Sequence, residues 1–216
     1  MKDLLRVALA LVLAVSVTRA DAAAKWSAGV KGGVNLADLS GPYLVEGFES
    51  STRTGFIGGA FVAADLSEAL SLRVEGLYAM KGAEFEGDFS GTDMLDYVEF
   101  PVLLVANVPA GEKFKFSLFA GPTFGFNVNA ETEYQSEFQG AGATTVDISD
   151  RIKDFEFGAA FGAGGEFVMD SFSIIIDARY SRGVTSVFED VNGESSDVDN
   201  TGIGVMAGVA FPLGAK

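Results

Sequence analysis

Apolar and polar residues alternate along two neighbouring stretches in the middle of the chain. The first runs from Asp96 to Val108 and the second from Phe114 to Asn129, and the short break Pro109 to Lys113 separates them. Alternation with period two places every second side chain on the same face of a strand. Each stretch exceeds the roughly five or six residues of a typical soluble strand and matches a tilted strand that crosses a bilayer. The pattern therefore predicts a membrane-spanning hairpin.

Six further stretches repeat this alternation. They are Trp26 to Leu36, Thr54 to Ala64, Ala69 to Lys81, Asp154 to Val168, Phe172 to Arg182 and Thr201 to Leu213. The breaks between consecutive strands alternate between long and short, which is typical of outer-membrane barrels. An open sheet edge would leave backbone groups unpaired in lipid, so the strands must close on themselves. We therefore predict an all-β fold, an eight-stranded antiparallel up-and-down transmembrane β-barrel.

A soluble ligand-binding barrel of the lipocalin type is the main alternative, because it is also an up-and-down barrel. That fold turns its apolar face inward and its charged face to water. Here the face opposite the apolar one carries mainly Gly, Ser, Thr and Asn with a few charges of both signs. This composition favours a narrow polar lumen and an apolar outer wall.

The first residues have the features of a secretory signal peptide. Lys2 and Arg6 precede an apolar run from Val7 to Val17, and small residues follow up to Ala24. The apolar run is shorter than the roughly 18 to 20 residues of a membrane-spanning helix. We predict a cleaved signal peptide over residues 1–24 and one barrel domain over residues 25–216.

The amino-acid composition argues against several classes of function. The chain has no Cys and no His, which excludes disulfides, thiolate metal sites and imidazole-dependent catalysis. The formal net charge of −15 argues against a nucleic-acid partner. We expect no cofactor, no confident metal site and no enzymatic activity.

Six charged residues fall on strand faces that we predict to line the lumen: Lys31, Arg73, Glu75, Glu99, Asp177 and Arg179. The interior of an eight-stranded barrel is just wide enough for side chains to fill it, so opposite charges there are expected to meet. We predict a lumen charge network that plugs and rigidifies the barrel. The functional alternative is a gate whose ion pairs exchange partners and admit small ions.

Acidic residues gather in the long breaks between strands. The last long break offers five oxygen ligands for a hard cation such as Ca²⁺: Asp190, Asn192, Glu194, Asp197 and Asp199. Gly193 comes too early for the loop of an EF-hand, so solvated acidic loops are the simpler interpretation.

Two central segments carry a family resemblance. Y-V-E-F-P-V-L-L-V from Tyr97 to Val105 and F-A-G-P-T-F-G-F from Phe119 to Phe126 resemble the outer-membrane β-barrel domain family, the porin family with its PorT-like small members. The opening Gly29 to Leu36 and the ending Gly208 to Leu213 are similar to the same family. The resemblance implies an eight-stranded barrel in the outer membrane of a Gram-negative envelope. It also implies that the strand ending in Gly208, Phe211 and Leu213 is read by the barrel-assembly machinery.

These observations lead to one functional prediction and two alternatives. The protein is expected to be an outer-membrane barrel with a side-chain-filled lumen and acidic extracellular loops, in a structural or surface-interaction role. Outer-membrane lipid and lipopolysaccharide are the expected surroundings, and another protein is a candidate partner at the loops. The alternatives are a small-solute or ion channel and a soluble lipocalin-like ligand-binding barrel.

Overall fold

The computed structural model describes residues 25–41, 49–86, 90–135, 143–190 and 197–214. The predicted signal peptide, residues 1–24, lies outside these ranges. The described residues form one short 3₁₀ helix, Ser149–Arg151, and ten strands, which are β1 (Trp26–Ser40), β2 (Glu49–Asp65), β3 (Leu70–Glu86), β4 (Ser90–Glu99), β5 (Val102–Pro109), β6 (Phe114–Gln135), β7 (Thr144–Asp147), β8 (Phe155–Val168), β9 (Ser173–Gly183) and β10 (Asp199–Leu213). Within the described ranges no helix has the length and apolar character needed to span a membrane.

The sheet closes into a ring. All strand pairs are antiparallel, and β1 pairs with β2 on one side and with the last strand, β10, on the other. Both β4 and β5 pair with β3 and with β6, so they are two halves of one strand. Strand β7 pairs only with the end of β6. The ten described strands therefore occupy eight positions around the barrel, as predicted.

The break between β4 and β5 lies at Phe100 and Pro101. Proline has no N–H to donate to the ladder, but its carbonyl accepts a hydrogen bond from the Glu75 N–H at 3.0 Å. Pro122, by contrast, lies inside β6, opposite Ala159 of β8. Pro101 thus interrupts its strand without opening the wall.

Several strands continue beyond their predicted ends on the side of the long loops. Strand β6 ends at Gln135 instead of Asn129, and β1 ends at Ser40 instead of Leu36. The pairing of β4 with β6 shifts between Asp96 and Tyr97, so Val128 is an extra residue on β6. Such a bulge reverses the faces beyond it. The predicted strand ends were therefore wrong on this side.

Apart from the end of β6 beyond the bulge, the faces of the wall follow the predicted alternation. Apolar side chains such as Val205, which is 50% exposed, cover the outside, whereas Glu75 on an inner face is 1% exposed. A lipocalin-type barrel needs the opposite arrangement, with apolar side chains inside. The lipocalin alternative is therefore wrong.

Candidate functional site

A layer of five charged side chains crosses the lumen between β1, β3 and β9. Lys31 Nζ on β1 lies 2.7 Å from Glu75 Oε1 on β3 and 2.8 Å from Asp177 Oδ2 on β9. The Glu75 carboxylate also lies 2.8 Å from Arg73 Nε and 2.8 Å from Arg179 Nη1. We call these five residues the inner charged layer. It ties together strands that are far apart in the sequence.

A second group of charges lies nearer the long loops. Lys81 Nζ on β3 is 2.6 Å from Glu99 Oε1 on β4 and 2.6 Å from Glu156 Oε1 on β8. The Asn200 side-chain amide on β10 donates to Glu156, and the Lys81 ammonium lies 4.9 Å from the centre of the Tyr97 ring. We call Lys81, Glu99 and Glu156 the outer charged layer.

The structure places all six predicted lumen residues inside the barrel, five in the inner charged layer and Glu99 in the outer one. Sequence analysis missed Lys81 and Glu156 as members of a network. A signal was present for both. Lys81 lies an even number of positions after Arg73 and Glu75, so all three are on the same face of their strand. Glu156 lies on the polar face of its own strand.

Apolar side chains separate and cover the charged layers. Ile57, Leu77, Ala79 and Met206 fill the space between the two layers. At the long-loop end, residues from strands and loops pack into one buried cluster, which we call the outer cap: Leu39, Ala83, Leu95, Tyr97, Ala130, Ile148, Ile152, Val187 and Val198. A bridge between Ile152 and Phe188 joins two of the loops that supply it. The lumen is thus closed at this end by apolar packing.

The acidic loop residues are distributed over this same end. Asp190 pairs with Lys153 at 2.8 Å, and Asp199 lies 3.5 Å from Arg182. Asp197 is exposed, and Asn192 and Glu194 lie outside the described residues. Within the described part of the chain, no three carboxylates are arranged to hold a metal ion.

One loop carboxylate has a defined local role. The backbone N–H of Ser149 donates to Asp147 Oδ1 at 2.8 Å. This hydrogen bond, together with one from the Ser149 side chain, lowers the pKa of the Asp147 carboxyl below its usual value. Asp147 therefore stabilises the turn that leads from β7 into the 3₁₀ helix.

Comparison with known proteins identifies the family. The sequence profile described as "Outer membrane protein beta-barrel domain" matches residues 18–189. The chain belongs to this family. No curated protein matches the sequence.

Solved structures of outer-membrane barrels share the fold. A major outer membrane protein from Thermus thermophilus is 16% identical, with a TM-score of 0.54 over 88% of this chain and 100% of that chain. OprG from Pseudomonas aeruginosa is 10% identical, with a TM-score of 0.52 over 89% and 98% of the two chains. The protein is an outer-membrane, transmembrane β-barrel.

At the short-turn end this outer-membrane barrel has a small polar cavity. It measures about 80 Å³, and Arg73, Asp177, Ser117 and Asn107 are among the residues that line it. The inner charged layer forms its floor. Access from this end therefore stops at the ion pairs, as access from the other end stops at the outer cap.

Proposed function

We propose that this protein is a closed outer-membrane barrel with a structural or surface-interaction role, without catalysis and without an open pore. The packed lumen is the observation that carries this proposal. Two charged layers, the apolar residues between them and the outer cap lie one after another along the barrel axis. An ion that entered from either end would have to displace buried ion pairs or apolar side chains.

The first test is electrical. We expect purified, refolded protein to insert into a planar bilayer and to remain silent under an applied voltage. Insertion must be verified separately, by the heat-dependent gel shift of a folded barrel and by protease protection. Stable, reproducible conductance steps from the unmodified protein would contradict the proposal.

A channel is the second candidate, and one observation favours it. The Nη2 atoms of Arg73 and Arg179 both lie 3.6 Å from the Asp177 carboxylate, while both side chains also contact Glu75. Alternative ion-pair partners are therefore within a short movement of each guanidinium. Exchange between them would let small ions or solutes pass the inner charged layer. The bilayer recording would detect conduction if the outer charged layer and the cap opened as well.

The surface role requires the long loops to face the outside of the cell. In outer-membrane barrels the short turns are periplasmic and the long loops are extracellular. The cap packs several of these loops against one another, and it leaves Val146 of β7 44% exposed. The described part of this acidic loop end, with its exposed apolar side chains, suits a protein partner or lipopolysaccharide whose phosphates are bridged by cations.

Surface labelling tests this orientation. A cysteine introduced at Thr145, which lies on the exposed strand β7, should react with a membrane-impermeant maleimide in intact cells. A cysteine at Ser67, in the short turn between β2 and β3, should react only after the outer membrane is permeabilised. The reverse pattern would contradict the proposed orientation. Recognition by the barrel-assembly machinery through the end of β10 belongs to the same proposal.

A further inference from the structure

The outer wall of the barrel is grooved where β1, β2 and β3 meet near the short-turn end. Most of the wall carries large exposed side chains, but Ala28, Ala60 and Gly76 are small and lie on adjacent strands. Ala60 is opposite Val30 on β1 and Gly76 on β3 in the sheet register. Because these three side chains are small, the outer wall has a depression there.

Larger apolar side chains form the sides of this depression. Trp26 borders it near the short turns, Phe100 borders it near the middle of the wall, and Val62, Leu72 and Val74 lie between them. The depression measures about 590 Å³. We call it the Trp26–Phe100 groove.

The groove is continuous with the surface that contacts the membrane. Most of its lining residues, such as Ala60, Val62 and Val74, face outward from a transmembrane wall, and the buried Phe61 and Glu75 lie behind them. The medium against the groove is therefore lipid hydrocarbon instead of water. A void there would deprive the lining atoms of dispersion contacts. The occupant must therefore be apolar and available in the bilayer.

The space can be filled without moving the backbone. A Cβ atom added to Gly76 would meet nothing closer than the edge of the Phe100 ring, at 3.8 Å. Glycines on inner faces of the same strands differ, because a Cβ at Gly59 would lie 2.0 Å from the Gly76 carbonyl oxygen. The Gly76 site is thus open towards the lipid, and a larger side chain there would fill the groove.

From these observations we infer that the Trp26–Phe100 groove binds one acyl chain of a phospholipid from the leaflet at the short-turn end. This goes beyond the proposed function, because it concerns the outer wall and does not depend on the lumen or the loops. The groove holds the chain longer than the surrounding wall does, since it surrounds the chain on more than one side.

Native mass spectrometry of the protein extracted in a mild detergent tests the inference directly. The unmodified protein should retain one phospholipid per chain. Gly76→Leu and Ala60→Leu, which both fill the groove, should lose it. Ala207→Leu is the matched control, since Ala207 is an exposed outward residue of β10 away from the groove, and it should retain the lipid. Equal lipid retention by all four proteins, or none by the unmodified protein, would overturn the inference.

Trp26 provides an independent readout, because it is the only tryptophan of the chain. In vesicles of phospholipid brominated in the middle of its acyl chains, the fluorescence of Trp26 should be quenched more strongly in the unmodified protein than in Gly76→Leu. Ala207→Leu should behave like the unmodified protein. If a second copy of the chain occupied the groove instead, quenching would be weak and chemical cross-linking would trap a dimer, which would also overturn the inference.

Discussion

The charges of the two charged layers are balanced in number. The two charged layers contain Lys31, Arg73, Lys81 and Arg179 against Glu75, Glu99, Glu156 and Asp177, four of each sign. A buried charge is tolerated when a partner and hydrogen bonds replace its lost hydration. Removing one charged residue should therefore lower the free energy of unfolding far more than replacing a whole set of paired charges by neutral residues.

Lys81 offers the clearest test of this argument. Lys81→Met leaves Glu99 and Glu156 without their shared ammonium, and the free energy of unfolding should fall by about 3 to 5 kcal/mol. Replacing all three residues together by Met, Gln and Gln should cost much less than the single change. Urea titrations of the protein in lipid vesicles would measure both.

The control for Lys81 is an ion pair at the surface. Lys153→Met removes the partner of Asp190 from a half-exposed pair, and the free energy should change by about 0 to 1 kcal/mol. A similar loss for Lys153→Met and Lys81→Met would show that the outer charged layer is not specially dependent on its partners.

A charge introduced on the outer face should lower the free energy of unfolding by an amount that depends on its depth in the membrane. Val205 is 50% exposed near the middle of β10, and Val205→Arg should destabilise the inserted protein by about 2 to 4 kcal/mol. Val184 is 65% exposed just after the end of β9 at the long-loop side, and Val184→Arg should cost about 0 to 1 kcal/mol. Equal costs in vesicle unfolding would contradict the membrane position of the wall.

For most single residues of the strands, the sequence could predict whether the side chain points into the lumen or towards the lipid. Each strand has one apolar face, so the alternation along its strand assigned Glu75 to the lumen, where it is buried. Which charges touch could not be predicted in the same way. The contact of Lys81 with Glu99 and Glu156 depends on the register between strands, and the alternation within each strand does not contain that information.

Strand ends illustrate what alternation misses at the scale of elements. Beyond the membrane, both faces of a strand meet polar surroundings or loops, so the apolar contrast disappears. The bulge at Val128 also reverses the faces of β6, and Thr132 then points inward although Phe124 points outward. The strand continues, but its pattern changes, and for that reason its end was predicted six residues early.

The outer cap is held together by contacts between loops. The alternation of apolar and polar residues along the strands does not predict these contacts. Ile152 is buried in the cap, next to the hydrogen bonds that Lys153 N–H donates to Val187 and Glu189 N–H donates to Arg151, both at 2.8 Å. Ile152→Ala should reduce the free energy of local opening by about 2 to 5 kcal/mol, because it leaves a cavity. Amide exchange at Lys153 and Glu189 would report the change.

Val146→Ala is the comparison for Ile152→Ala. Val146 is an exposed residue of β7, so its truncation leaves no cavity in the cap. Exchange at Lys153 and Glu189 should stay as in the unmodified protein. Faster exchange in both variants alike would mean that the cap is not held by its buried apolar side chains.

For the molecule as a whole, the closures act in series along one axis. Arg73 belongs to the inner charged layer, Lys81 to the outer one and Ile152 to the cap. A pore conducts only as well as its narrowest segment, so opening one closure leaves the others in place. We therefore expect the lumen to stay closed to ions when a single residue of one closure is substituted.

Conductance of combined variants should follow from that arrangement. Arg73→Ala alone should be as silent as the unmodified protein in a planar bilayer, because the outer charged layer and the cap stay closed. Arg73→Ala with Lys81→Ala and Ile152→Ala should give discrete conductance steps, provided that the gel shift shows a folded barrel. The same triple variant with Ser117→Phe, which narrows the cavity at the short-turn end, should conduct less. Steps from Arg73→Ala alone would instead mean that the inner charged layer is the only barrier, and the gated-channel alternative would then explain the lumen better.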